Sequence, residues 1–306
     1  MKGYIAVTDN GWYEHLRQHP GTQDANFWRP STRAVRLDVG TPFLFKLKAP
    51  NHAIGGFGYF VGFSVLPDWL AWDTFAEANG VGTLGELQGK LSKIQRSASI
   101  QADPGGRIGC CLIAEAVFFD PGAWVAAPSD WKRNIQTGSQ YDLSSGEGKR
   151  VWNECLQRAD GLNVNASGSH ETEARYGKPT TTVPRLGQGI FRVSVLDAYE
   201  RACAVTQEHS LPVLDAAHIV PYASGGQHLV SNGLSLRSDI HRLFDRGYVT
   251  VDEKHRFVVG RRLRDDFENG HSYYKHNGTG LTLPNDTRLH PSMNSLEWHR
   301  SNAFLG

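Results

Sequence analysis

The chain has 306 residues, 40% of them hydrophobic and 21% charged, with eight Trp and a net charge of +1. That is room for one large domain or two ordinary ones with a buried core, and it speaks against disorder and low complexity. The balanced charge gives no global basic field to announce a polyanionic partner, and no apolar run approaches the roughly 18 to 20 residues of a membrane span. The opening MKGYIAVTDNGW lacks a basic-then-apolar leader pattern, so a soluble, unexported protein is expected. Cys110, Cys111, Cys155 and Cys203 form no C-x-x-C pair, so neither a disulfide framework nor a cysteine zinc site is indicated.

From Tyr4 to about Tyr141 the chain reads as short apolar runs separated by Gly, Pro and Asn, and is mostly β. PFLFKLKAP (42–50) alternates like a half-buried strand. GFGYFVGFSVL (56–66) is a strand whose glycines permit the bends of a small barrel, and IGCCLIAEAVFF (108–119) is a third. GGFGYFVG is not a nucleotide-binding loop, because it lies within a strand pattern and no helix start follows it. Between the last two strands, WDTFAEANG and TLGELQGKLSKIQRS carry helical spacing, with Gly80 and Ser97 as stops. The pattern predicts a barrel with inserted helices.

SSGEGKRVWNECLQRA (144–159) predicts one amphipathic helix, after which residues 160–188 turn polar and rich in Gly, Ser, Thr and Pro. The expected division is a first domain over 1–159, a linker over 160–188 and a second domain over 189–306, opening with a helix near Phe191. Nine of the thirteen histidines fall between His209 and His299, which directs the search for chemistry to that second domain.

Within it, VLDAAHIVPYASGGQHLVSNGLSLRSDIHRLFDRGYVTV (213–251) reads as strand, loop, helix and strand, with Ser238 as the expected N-cap of the helix. One His leaves a strand, one Asn sits in the loop and one His lies on the helix. The set suits hydrolysis of a phosphodiester with one metal ion: a neutral imidazole takes a proton from water near pH 7, while a divalent cation neutralises charge on the phosphate and leaving oxygen. His218 is the expected general base and His241 a metal ligand. Residues two apart on a strand share a face, so Asp215 is expected to point with Ala217, away from His218, and to be the second ligand. Asn232 is expected to bridge loop backbone and hold the base in one pose. Arg237 and Arg242 flank the helix as candidate phosphate grips, though a solvated helix face accounts for them about as well. His228, His255, His271 and His276 read as ordinary structural histidines, Asp239 as a helix-dipole partner and Asp245 as a surface acid.

His218, Asn232 and His241 resemble the three namesakes of the HNH nuclease family, whose ββα-metal core carries His, Asn and His in this order. The resemblance covers roughly residues 187–260, and LDAAHIVPY, SNGLSLRSDIHRLFD and GYVTV resemble the McrA-like subgroup of bacterial restriction endonucleases. Many family members place a metal-binding Asp, Glu or His immediately before the base. Here that position is Ala217, so either Asp215 or a water completes the metal site. Cys203 stands where zinc-bearing relatives begin a Cys pair, and Thr206 replaces the second Cys, so no structural zinc is expected.

A nuclease core of this kind has little sequence preference, which leaves the first domain to choose the substrate. Trp12, Phe27, Trp28, Tyr59, Trp69, Trp72, Trp124 and Trp131 give it more aromatic surface than its core needs, and aromatic walls hold bases taken out of the stack. YIAVTDNGW, NFWRPS, TPFLFKL and GGFGYFVGFSVL are similar in order to the elements of the PUA-like superfamily, notably EVE domains, over about residues 3–141. The resemblance implies a pocket for a flipped modified base. In it Trp28 would be a wall, Asp9, Asn10 and Asn26 hydrogen-bonding groups for the base edge, and Trp12 and Trp72 candidates for the opposite wall.

The sequence therefore predicts an α+β protein, a PUA-like β-barrel with inserted helices followed by a ββα-metal nuclease domain. Its expected activity is that of a bacterial, cytoplasmic, modification-dependent restriction endonuclease. The expected substrate is double-stranded DNA carrying 5-methyl- or 5-hydroxymethylcytosine, and the expected cofactor one divalent ion per site, Mg²⁺ ahead of Mn²⁺. One site cuts one strand, so cutting both calls for a homodimer or sequential nicking. The competing expectations are an unselective or RNA-directed HNH nuclease, and a non-catalytic modified-base binding protein.

Overall fold

The computed structural model describes residues 1–19, 24–166 and 187–306. The chain divides into two compact units, Met1–Arg185 and Leu186–Gly306. No helix among the described residues is long and apolar enough to cross a membrane.

The first unit runs β1 (Lys2–Thr8), α1 (Asn10–Gln18), β2 (Asp24–Arg29), β3 (Pro42–Leu47), β4 (Ala53–Pro67), α2 (Asp68–Phe75), α3 (Leu84–Ser97), β5 (Arg107–Phe118), β6 (Val125–Ala126), β7 (Gly138–Asp142) and α4 (Gly146–Ala166). Its strands make one mixed sheet in the order β2-β5-β4-β3-β1-β7, with β6 on β4 and a parallel pairing of β1 with β3. Three of these strands lie where the apolar runs predict them. The barrel does not: β2 and β7 end the order, and no pairing among the described residues joins them into a closed barrel. The glycines of β4 serve instead at register shifts against β5, between Phe57 and Tyr59 and between Phe60 and Gly62, where the long strand changes course.

The half-buried reading of PFLFKL is also corrected, because all six residues of β3 are buried. Alternation is present, but both faces are covered. Leu44 packs with Ile5, Phe57, Val151 and Trp152 beside α4, while Phe43 and Phe45 pack with Trp12 and Phe27 on the α1 side. A strand covered on both sides reads as a continuous apolar run rather than an alternating one. The predicted helix over WDTFAEANG begins earlier, at Asp68, and gives way to a 3-10 turn over Ala76–Asn79. That turn ends at Gly80, whose φ of +69° and close approach to the Trp12 indole leave no room for a Cβ. Helix α4 continues past the expected end at residue 159 as far as Ala166, so the expected linker starts later; its remainder, 167–186, lies outside the described residues.

The second unit runs α5 (Gln188–Ala198), β8 (Leu214–His218), β9 (Gly233–Arg237), α6 (Ser238–Asp245), β10 (Val249–Val251), β11 (Phe257–Val259), α7 (Arg262–Phe267), α8 (His271–Tyr274) and α9 (Met293–Asn302). β8 and β9 pair antiparallel, with Asp215 opposite Leu236 and His218 opposite Gly233, and β10 and β11 form a second hairpin. Helix α6 follows β9 without a loop. Arg237 rather than Ser238 is its N-cap, because the strand ends directly in the helix. Phe191, Leu214, Ala217, Leu234, Ile240 and Phe244 form the core that locks α5, the β8–β9 ribbon and α6 together. At roughly 1.5 to 3 kcal/mol for each fully buried large apolar side chain, that core fixes the end of β8 against the face of α6.

Candidate active site and base cavity

The end of β8 and the outer face of α6 bring Asp215, His218 and His241 together. Asp215 Oδ2 is 3.4 Å from His241 Nδ1, and Asp245 Oδ2 is 3.3 Å from His241 Nε2. The imidazole is thus flanked by two carboxylates. His241 is raised above its ordinary pKa: burial is the largest influence and opposes its charge, but the Asp215 hydrogen bond and the charges of Asp245 and Asp215 outweigh it. That hydrogen bond holds the Asp215 carboxyl below its ordinary value, assisted by the charges of His241, Arg192 and Arg242. Asp245 moves the other way, pushed up by burial and by the charge of Asp215.

The expected strand geometry needs correction here. Leu214 and Ala217 are in the core, whereas Asp215 and His218, also three apart, both lie close enough to His241 to feel its charge. A five-residue strand paired on one side only is a two-stranded ribbon. Ala217, the position before His218, is fully buried and is no ligand position.

His218 is held by its neighbours. Its ring stacks on Phe191 at 3.9 Å between centroids, and its Nε2 is 2.9 Å from His228 Nδ1. The His228 ring in turn stacks on Tyr222 at 4.8 Å. Burial, followed by the nearby charges of His228 and His241, lowers the His218 pKa to about 4, so its imidazole is neutral at physiological pH. The plain structural reading of His228 is therefore corrected: it touches the expected base. Asn232, 6% exposed, accepts the Val220 N–H at 3.0 Å and donates to the carbonyls of Val220 and Gln227, both at 3.0 Å. Its amide thus closes the loop that carries His228, as the sequence reading expects. At Gly226 a Cβ would collide with the Val220 carbonyl, so this closure also requires glycine.

The two arginines separate. Arg237 is bound through Nε and Nη2 to Asp239, both contacts at 2.7 Å, and Asp239 also accepts from the Tyr273 hydroxyl at 3.0 Å. The guanidinium is paired with that carboxylate. Arg242 is exposed on α6, and its charge reaches both Asp215 and His241. Asp245, read from the sequence as a surface acid, sits one helical turn beyond His241 and against its ring. The i,i+4 spacing was the available signal for that contact.

In the first unit a cavity of about 160 Å³ opens between β1, β2 and α1. Tyr4, Trp12, Phe27 and Trp28 are its aromatic walls, and Asp9, Arg29, Gln136 and Thr137 contribute polar groups. The indole N–H groups are already engaged: Trp28 Nε1 donates to the Asn79 carbonyl at 2.8 Å, and Trp12 Nε1 to the Asn26 carbonyl at 3.2 Å. These bonds fix the walls and leave ring surface facing the cavity. One Asp9 oxygen caps α1 by accepting the Trp12 N–H at 3.0 Å.

Three expected pocket residues do not line the cavity. The Asn26 amide is fully buried and donates to Asn79 Oδ1 at 2.9 Å. Asn10 donates to the Ala49 carbonyl at 2.9 Å, and Trp72 lies on α2, away from the lining. Tyr4, Arg29, Gln136 and Thr137 were missed because nothing local marks them. They meet only once β1, β2 and the segment before β7 are assembled.

Residues 203–252 match the HNH_2 family, described as HNH endonuclease. No curated protein matches the chain. Among solved structures, a mutant of ZmASCH from Zymomonas mobilis is similar at 9% identity, with 52% of this chain and 97% of that chain covered and a TM-score of 0.29. A second, the modification-dependent TagI restriction endonuclease, is similar at 12% identity, with 99% of this chain and 81% of that chain covered and a TM-score of 0.29. The strand bearing Asp215 and His218, the loop closed by Asn232 and the helix bearing His241 all fall within the matched residues, and the second unit carries an HNH endonuclease domain.

Proposed function

We propose that the chain is a modification-dependent DNA endonuclease whose first unit, as a PUA-like reader, holds a flipped 5-methyl- or 5-hydroxymethylcytosine and whose second unit hydrolyses a phosphodiester of the same DNA. The observation that carries the hydrolytic reading is the Asp215–His241 pair between β8 and α6, with His218 ending the same strand, inside the HNH match. The aromatic cavity supports the reader. A cavity of roughly 150 Å³ accepts a benzene ring, so about 160 Å³ between aromatic walls suits a single-ring base better than a purine.

In this reading His218 takes the proton from the attacking water. The tautomer that serves the role donates Nε2–H to His228 Nδ1 and keeps the His218 Nδ1 lone pair for that proton. Phe191 and His228 prevent the ring from turning, and the Asn232 clamp fixes the loop beneath it. Burial keeps the base neutral and ready, and an approaching phosphate raises its proton affinity by opposite charge.

The donor set fits a divalent cation. Asp215 Oδ2 and His241 Nδ1 are 3.4 Å apart, close to the roughly 3 Å between adjacent ligands of an ion with 2.1 Å bonds, and carboxylate with imidazole suits Mg²⁺ or Mn²⁺. Asp215 and His241 would hold it, with Asp245 accepting the Nε2–H of His241 as the outer carboxylate that orients a ligating imidazole. Bound there, the cation supplies charge neutralisation for the phosphate and the leaving oxygen. Arg242, exposed on α6, would meet a neighbouring phosphate. One such site cuts one strand, so cutting both takes two chains or two successive nicks.

The reading is tested by incubating the full chain with a duplex carrying 5-hydroxymethylcytosine, with Mg²⁺ or Mn²⁺ or with excess chelator. Strand cleavage is expected only with the cation and only on DNA, RNA of the same sequence remaining intact. Equal cleavage in chelator contradicts the metal assignment, and preferred cleavage of RNA contradicts the substrate.

A further inference from the structure

Helix α1 carries a second cluster of metal-ligating groups, in the unit that lacks the HNH match. His15 and His19 lie one turn apart at its C-terminal end and face Glu77 of the 3-10 turn, with one ligand atom of each residue within 4.8 Å of the other two. Two histidines four residues apart on a helix are a recurrent metal clasp, since the spacing puts both rings on one face. The two rings stack at 4.3 Å, and His19 Nε2 is 3.8 Å from Glu77 Oε2.

Two further features point to a ligand. His15 Nε2 is buried with no hydrogen-bond partner, a costly state for a ring nitrogen that a metal bond would end. His19 Nδ1 is 2.7 Å from the His15 carbonyl, which accepts its N–H and so leaves the Nε2 lone pair on the Glu77 side. That is the outer hydrogen bond that fixes the tautomer of metal-bound imidazoles.

We propose that His15, His19 and Glu77 form a binding site for a zinc-class transition-metal dication, with water at the remaining position. Two imidazoles and a carboxylate are a frequent donor set for such ions. Ligand atoms around a tetrahedral ion with bonds of about 2.0 to 2.1 Å stand about 3.3 Å apart, so His19 and Glu77 must close by about half an ångström and no pair by more than about 1.5 Å. The Glu77 side chain is 51% exposed, which leaves it room to swing toward the two rings.

The site ties together the two supports of the cavity. Helix α1 supplies Trp12 to its wall, and the 3-10 turn anchors the opposite wall through the Asn79 carbonyl that receives the Trp28 N–H. An ion joining His15 and His19 to Glu77 cross-links α1 to that turn and holds the two indoles at a fixed separation. The trio contains no cysteine, so the Cys203 pattern gives no sign of it.

The test is Zn²⁺ binding by the full chain, read by equilibrium dialysis with metal analysis, and Co²⁺ binding, read by its visible absorption. The HNH site is silenced by His241→Gln so that it does not add to the count. The His241→Gln protein is expected to bind one Zn²⁺ and to give the strong absorption of tetrahedral Co²⁺. Adding His19→Gln or Glu77→Gln is expected to abolish the Co²⁺ signal and weaken Zn²⁺ binding by at least about a hundredfold, since even outer partners of metal ligands are worth 10- to 100-fold. Glu77→Gln replaces an exposed side chain and keeps its shape, so it remains informative if a histidine variant unfolds. Zn²⁺ affinity unchanged by both substitutions, or no Zn²⁺ bound in the His241→Gln protein, overturns the proposal.

Discussion

Replacing His218 by Ala is expected to lower the single-turnover rate of strand cleavage by about 10² to 10⁴, the usual worth of a positioned general base, while DNA binding stays near the wild-type level. The side chain is only half-buried and its backbone is held by β9, so the strand and its register should persist. What is lost is the acceptor for the water proton and the partner of Phe191 and His228. Binding should survive if, as proposed, the first unit supplies the reader surface. Thermal unfolding of the variant separates a chemical effect from a folding one. A well-folded His218→Ala protein that still cleaves at the wild-type rate would show that the base lies elsewhere.

The second unit is also expected to lose stability in mild acid through His299. This residue of α9 is 2% exposed, stacks on Phe244 at 3.7 Å, and has its Nε2 3.0 Å from the Phe244 carbonyl and its Nδ1 2.9 Å from the Thr250 hydroxyl. The neutral ring satisfies both: Nε2–H donates to the carbonyl, and Nδ1 accepts from the hydroxyl. Burial lowers its pKa to about 4, the Phe244 carbonyl opposing and Arg300 reinforcing the shift. The unfolded chain then binds the proton near pH 6.5 while the folded chain refuses it until about pH 4. Stability therefore rises with pH across that window, is complete above about 6.5 and declines as the pH falls toward 4. The loss is on the order of 3 kcal/mol, from about 2.5 pH units at 1.36 kcal/mol each. Denaturant midpoints from pH 7 to pH 4 measure it. His218 contributes in the same direction but is partly exposed and counts for less. The decisive comparison is thus His299→Gln, whose midpoint should vary less with pH than that of the wild type. Parallel curves for the two proteins would assign the acid sensitivity to other groups.

His299 also supports the helix of the proposed site, because the carbonyl it holds belongs to α6, between His241 and the helix end that carries Asp245. The site's helix is thus fastened from behind by a residue 58 positions after His241, and no spacing rule in the sequence announces that contact.

The contrast runs through the whole chain. His218, Asn232 and His241 were legible because the nuclease reading depends on a strand end, a loop and a helix that follow one another within 24 residues, where local pattern suffices. Asn232 even reveals its duty, since an amide is suited to closing a loop by donating and accepting at once. Asp215 was found by type, but it does not share the buried environment of Ala217; it lies half-exposed against His241. His228 escaped because it reaches His218 across a loop rather than along an element.

In the first unit, strands β3, β4 and β5 were legible from apolar runs and glycine punctuation, but sheet closure was not. Whether β2 and β7 meet depends on the accumulated twist and on the register shifts of β4, which composition does not encode. The cavity shows the same division. Trp28 and Trp12 stood out as large aromatics near the start of the chain, whereas Gln136 and Thr137 reach it from more than a hundred residues away. Asn26 failed as a pocket group for an energetic reason: a buried amide seeks interior partners, and Asn79 supplied one.

A reader of modified bases joined to an HNH nuclease must distinguish two duplexes that differ only in the modification. Two duplexes of identical sequence, one with cytosine and one with 5-methyl- or 5-hydroxymethylcytosine at the same positions, are given to the full chain with Mg²⁺, and initial cleavage rates are compared. The account predicts rapid cutting of the modified duplex and little of the plain one. Equal rates on the two would contradict it, leaving an HNH nuclease whose aromatic cavity serves some other purpose.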